Sequence, residues 1–103
     1  MVISDTNEAR RLVEIYLAEV PRKSPNELSV MDEHTIETDF GWVFFWNSKK
    51  YLQTGDLAHA LAGNAPLIVD RRDGSLHETS TAKPVEDCID EYRKYHWLAE
   101  RSQ

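Results

Sequence analysis

Cysteine is nearly absent from this chain. Cys88 stands alone, so no internal disulfide can form and the fold must rest on packing. No apolar run approaches 18 residues, which excludes a membrane-spanning helix. Residues Met1 to Glu8 supply neither the basic start nor the apolar stretch of a signal peptide, so a cytoplasmic location is expected. Positive charge is in deficit: 12 Lys and Arg stand against 18 Asp and Glu, a net charge of −6. Gripping nucleic acid takes clustered Lys and Arg, so that class of partner is not expected. An acidic surface suits solubility, or attraction to a basic partner. Repeats, low-complexity tracts and linkers are also missing. With 103 residues the chain reads as one domain spanning 1–103, able to bury roughly 65% of its unfolded surface.

The usual signatures of chemistry are missing too. His34, His59, His77 and His96 lie on different segments without ligand spacing, and one cysteine cannot build a structural zinc site. No serine sits in a Gly-x-Ser-x-Gly elbow, and the glycines form no phosphate-cradling loop. Cys88 falls on an apolar helical stripe and reads as a small buried hydrophobe. Neither catalytic residues nor metal ligands nor a cofactor are expected.

What the chain does have is Phe40 to Asn47, which holds all three phenylalanines and two of the three tryptophans. Alternate side chains of a strand point to opposite faces, so Trp42, Phe44 and Trp46 share one side, with Val43 and Phe45 on the other. Both faces are apolar, which predicts a central strand with helices on one side. The second face needs another cover: the chain's own loops, a second copy in a homodimer, or a partner protein.

Around that stretch the order is helix, two strands, short helix, two strands, helix. Asp5 and Glu8 have capping-box-like spacing, and Ala9, Leu12, Val13, Tyr16 and Leu17 recur at helical period, giving a helix over about Asp5 to Ala18 before Pro21 and Pro25. Leu28 and Val30 begin a strand pattern that His34, Ile36, Thr38 and Phe40 continue, with a break at Met31. Glu33, Glu37 and Asp39 fall on its other face, either as a partner-facing stripe or as an ordinary solvated face. Gly41 marks a tight connection, Asn47 to Lys50 a turn, and Asp56 to Gly63 a capped short helix. Leu67 to Val69 is an apolar strand, Asp73-Gly74 a hairpin turn, and Ser75 to Thr79 a more polar return strand fit for an edge. Pro84 at a first helical position opens a last helix, whose stripe is Val85, Cys88, Ile89, Tyr92 and Tyr95 or His96. The class is α+β: an antiparallel four-stranded sheet with N-terminal and C-terminal helices packed on it, and a short helix between strands 2 and 3.

Gly41-Trp42-Val43-Phe44-Phe45, Tyr51-Leu52-Gln53-Thr54-Gly55-Asp56 and Ala60-Leu61-Ala62-Gly63-Asn64-Ala65-Pro66 are specific strings. With Leu67 to Asp70, Asp73-Gly74 and Thr81 to Pro84, they resemble the immunity protein 35 family, also called the YrhB domain. The resemblance covers roughly Phe40 to Tyr92. It implies a small, non-enzymatic bacterial protein of a polymorphic toxin system that binds and neutralises a cognate toxin. A chaperone-like role, holding unfolded chains on an exposed apolar patch, is the alternative the family also carries. The matching motifs are scaffold elements and transfer no catalytic residue. An acidic inhibitor suits a basic toxin. By facing and composition, Glu33, Glu37 and Asp39 are the candidate partner contacts, with Tyr51 and Trp97 as aromatic anchors. An open second face would favour the chaperone-like role, and a closed face with a charged rim the inhibitor.

Overall fold

The computed structural model describes residues 2–19, 28–57 and 64–98. Helix α1 spans Thr6–Glu19. Asp5 Oδ1 accepts the Glu8 N–H at 2.8 Å, and Glu8 reaches back to the Ser4 N–H at 3.2 Å, so both carboxylates satisfy N–H groups at the helix start. Ala9, Val13 and Leu17, four residues apart, form its buried stripe.

The expected long first strand is broken. Strand β1 is Leu28–Val30, a 3-10 turn occupies Asp32–His34, and β2 is only Ile36–Glu37. In the turn, the His34 and Thr35 N–H groups bond the Met31 and Asp32 carbonyls, which satisfies the backbone locally. The aromatic stretch is likewise divided, into β3 (Gly41–Phe44) and β4 (Trp46–Ser48), with the Phe45 carbonyl accepting the Met31 N–H at 2.7 Å. The chain thus changes sheet at Met31 and again at Phe45. Strands β1 and β4 form an antiparallel pair, while the main sheet has the order β2-β3-β5-β6 with every neighbour antiparallel. Here β5 is Leu67–Asp70 and β6 is Leu76–Glu78, which lies at the edge as its polar pattern predicts.

Central β3 and β5 are buried at every residue. Register pairs Trp42 with Val69 and Phe44 with Leu67, and these four join Ala9, Val13, Leu17 and Val30 in one core, with Trp46 packed against it. Val43 and Ile68, also paired, point the other way into a second core with Phe40, Tyr92 and Trp97, against which Phe45 packs. The partition of the aromatic residues between two faces is as expected. Helices on one side only is not: the second face is covered by the chain's own C-terminal helix. Gly41 is required where β3 begins, because its φ is +150° and a Cβ there would lie 1.9 Å from the Val69 carbonyl oxygen.

Where a turn is expected after Asn47 there is a helix, α2, spanning Lys49–Thr54. Ser48 Oγ accepts the Tyr51 N–H at 3.0 Å and caps its start. Gly55, at φ +72°, stops it by donating to the Tyr51 carbonyl. The Thr-Gly-Asp string is therefore a helix end. The helix expected between Asp56 and Gly63 falls mostly on 58–63, outside the described residues. The Asp73-Gly74 hairpin forms as expected, with the Gly74 N–H on the Asp70 carbonyl at 2.9 Å. Helix α3 spans Val85–Tyr92, with Pro84 just before it rather than inside it. It runs on as a π-helical segment, Arg93–Leu98.

Candidate functional site

The loop joining β5 to β6 organises the C-terminal half around a buried carboxylate. Asp70 ends β5 and is 1% exposed. Its Oδ1 accepts from Arg72 Nε at 3.0 Å and from the Arg72 backbone N–H at 2.9 Å, and its Oδ2 from Arg72 Nη2 and the Tyr92 hydroxyl, both at 2.7 Å. Burial alone pushes the Asp70 carboxyl up, but the bonds from Arg72 and Tyr92 outweigh it and hold the group below its ordinary value. The Tyr92 hydroxyl is pushed well above its ordinary value, by burial first and then by its bond to Asp70. The Arg72 guanidinium also lies over the Trp97 ring, 4.5 Å from its centroid.

The predicted contact residues do not share one surface. Glu37 and Asp39 lie on the rim of the main sheet near β2, each beside an arginine, Glu37 on the side of Trp42 and Asp39 on the side of Phe40. Arg71 Nη2 is 3.5 Å from Glu37 and donates to the Thr38 carbonyl at 2.8 Å, while its guanidinium covers Trp42 at 4.8 Å. Arg93 Nε donates to Asp39 at 3.0 Å and its guanidinium lies over Phe40. Glu33 is not on that rim, because the 3-10 turn removes it from the strand and with it the expected stripe of three carboxylates. It lines a groove of about 280 Å³ with Met31, Lys49, Leu52 and Gln53. Tyr51 is half-buried on α2. Trp97, expected as an aromatic anchor, is 8% exposed and belongs to the second core. The π-helical segment explains this. Residues five apart line up when a helix is bonded i to i+5, so Tyr92 and Trp97 both face the sheet, whereas α-helical geometry would point them apart.

A larger cleft, about 600 Å³, opens between β6 and α3. The Tyr92 and His96 rings stack at 4.7 Å with 14° between their planes, and His77 meets Tyr92 edge-on at 5.0 Å. Glu78, Thr79, Ser80, Cys88, Glu91 and Tyr95 complete most of the lining. The sequence reading missed this site, since its residues come from β6 and the last helix and share no motif. The one legible signal was Tyr92 and His96, four apart on one helical face. Ser75 Oγ and His77 Nε2 are 2.7 Å apart, a contact that a nucleophile and base would also make. Among the described residues, no carboxylate is hydrogen-bonded to His77 to orient it, and no group of three or more ligating side chains could hold a metal ion. No helix of the described residues is long and apolar enough to cross a membrane.

Among known proteins, uncharacterized protein YrhB of Escherichia coli (strain K12) is 46% identical over 52 residues, half of this chain. The match spans 55% of that relative's length. No solved structure matches the chain. The profile of immunity protein 35 matches residues 7–95, which takes in α1, both sheets and most of the cleft. This chain therefore belongs to the immunity protein 35 family.

Proposed function

We propose that this chain is a non-enzymatic, cytoplasmic immunity protein that binds one cognate toxin domain and neutralises it. Family membership supports the immunity role. The observation that carries the choice between inhibitor and holdase is the closure of the second aromatic face: Phe40 is 0%, Tyr92 6% and Trp97 8% exposed. A holdase needs a broad open apolar surface. Among the described residues the large exposed apolar side chains, Val2, Ile15, Leu52, Leu57 and Tyr95, come from the N-terminal segment, α1, α2 and its exit, and the C-terminal helix. The closed face carries charge at its rim, where Asp39 meets Arg93 beside Phe40, and the net charge of −6 suits a basic toxin. Glu33, Glu37, Asp39 and Tyr51 remain the proposed contacts on this reading.

The test is capture with the full chain as bait in its native cell, followed by expression of the captured domain with and without this chain. A single stoichiometric partner that arrests growth alone, and is silent when co-expressed, is the expected result. A broad set of partners that grows on heating, with no toxic member, would overturn the reading.

A further inference from the structure

The cleft between β6 and α3 has a one-sided lining. Among the described residues it includes two carboxylates, Glu78 and Glu91, and neither lysine nor arginine. In its wall Tyr92 is buried beneath the stacked His96, and Tyr95, 63% exposed, is the tyrosine that presents its ring to a guest. Ring faces attract cations, and carboxylates beside them add to that attraction. The chain's own ammonium groups already respond to this field: Lys83 Nζ is bonded to Glu91, and Lys94 Nζ lies 5.3 Å from the Tyr95 ring centroid. Glu78 accepts from the Tyr16 hydroxyl, and a carboxylate with one donor bound still has acceptor positions free. An anionic guest would meet no Lys or Arg among the described lining residues, and an apolar one would leave these carboxylates desolvated. At about 600 Å³ the cleft has the size of a small-ligand site and admits a long side chain readily.

We propose that this cleft is a binding site for a cationic side chain, arginine or lysine, presented by the protein that this chain neutralises. It rests on the immunity reading for the identity of that protein, and on the lining alone for the chemistry of the guest. Lys83 is then an internal competitor that holds Glu91 until the guest displaces it. This gives two exposed substitutions opposite effects. Glu91→Gln removes an acceptor and weakens the site, whereas Lys83→Gln frees Glu91 and strengthens it.

The experiment is nuclear magnetic resonance titration of the full chain with N-acetyl-arginine methylamide, N-acetyl-lysine methylamide and, as control, N-acetyl-glutamate methylamide. Saturable shifts at Thr79, Ser80, Tyr95 and His96 with both cationic probes, and none with the acidic one, are expected. Glu91→Gln should weaken the response by about fivefold and Lys83→Gln should strengthen it. Unmoved cleft resonances, an equal response to the acidic probe, or two variants shifting in the same direction would overturn the proposal. Neutralisation separates this failure from that of the immunity reading. A Tyr95→Ala, Glu91→Gln double variant that protects against the toxin as well as the parent chain sinks the cleft alone. Cationic probes that bind a chain protecting against no toxin leave the cation site standing and sink the immunity reading.

Discussion

The β3–β5 pair presents two faces of different chemistry. Towards α1, Trp42, Phe44, Leu67 and Val69 pack on Ala9, Val13 and Leu17 with no carboxylate buried among the described residues, and the Arg71 guanidinium covers Trp42 at the margin. Towards α3, Val43 and Ile68 pack on Phe40, Tyr92 and Trp97, and the Asp70 carboxylate is buried beside them under Arg72 and Tyr92. Apolar burial is non-directional, so the first face holds its helix by area and shape. A hydroxyl on a carboxylate has a fixed length and direction, so the second face also fixes where the last helix docks. That helix carries half the cleft. The positioning of the site thus depends on the polar face, and the buried Asp70–Tyr92 bond makes that face sensitive to pH.

Cutting the dry face should give the largest effect. Trp42 is 1% exposed, and Trp42→Ala should cost about 3–5 kcal/mol, a large part of a domain stability of roughly 5–15. Urea unfolding would measure it, and the loss should be the same at pH 5 and pH 8. Asp70→Asn should cost somewhat less, about 3 kcal/mol, because it removes the buried carboxylate that Arg72 and Tyr92 both bond, while Arg72 can still reach water. Its signature is in the pH profile. The Asp70 carboxyl is held low in the fold, so the unfolded chain takes up that proton first as pH falls. The stability it contributes is complete above about pH 4 and is lost as pH drops through the lower folded value. Parent and Asp70→Asn stabilities should therefore converge in acid. If they run parallel down to pH 2, the carboxylate is not the source.

Tyr92→Phe is the milder cut on the same face, about 1.5–2 kcal/mol for one hydrogen bond to a charged acceptor. It tests the opposite end of the pH range. The Tyr92 hydroxyl is raised in the fold, so its stabilisation is complete below about pH 10 and is lost as pH rises through the higher folded value. The parent chain should lose stability in alkali faster than Tyr92→Phe does.

The dry face was legible in the sequence and the polar one was only half so. Alternation put Trp42, Phe44 and Trp46 on one side, and helical spacing named Ala9, Val13 and Leu17, because periodicity reports apolar burial directly. Val43 and Phe45 were placed correctly on a second apolar face, yet its cover was not foreseen. Two non-local facts hid it. Asp70 and Tyr92, 22 residues apart, meet only in the fold, and a charged residue at a strand end reads as solvated until its partners are known. The π-helical segment that turns Trp97 inward has no sequence signature comparable to a cap or a hairpin glycine. At the candidate contacts, Glu33, Glu37 and Asp39 looked like one stripe because a continuous strand was assumed, and the 3-10 turn at Asp32–His34 divides them. Composition signalled acidity well. It could not say which acids share a surface.

The smallest expected effects on stability lie at the rim, and there the comparison sharpens the functional reading. Glu37 and Asp39 are 64% and 50% exposed beside Arg71 and Arg93, so Glu37→Gln or Asp39→Asn should change stability by less than about 1 kcal/mol. Their consequence belongs to association instead. If a basic partner approaches the rim, removing either charge slows the encounter and flattens its dependence on salt, while the dissociation rate changes little. Stopped-flow mixing with the captured toxin at low and moderate salt would read both. An unchanged association rate in the double variant, with stability intact, would clear this rim of any part in steering and leave the β6–α3 cleft as the surface to examine.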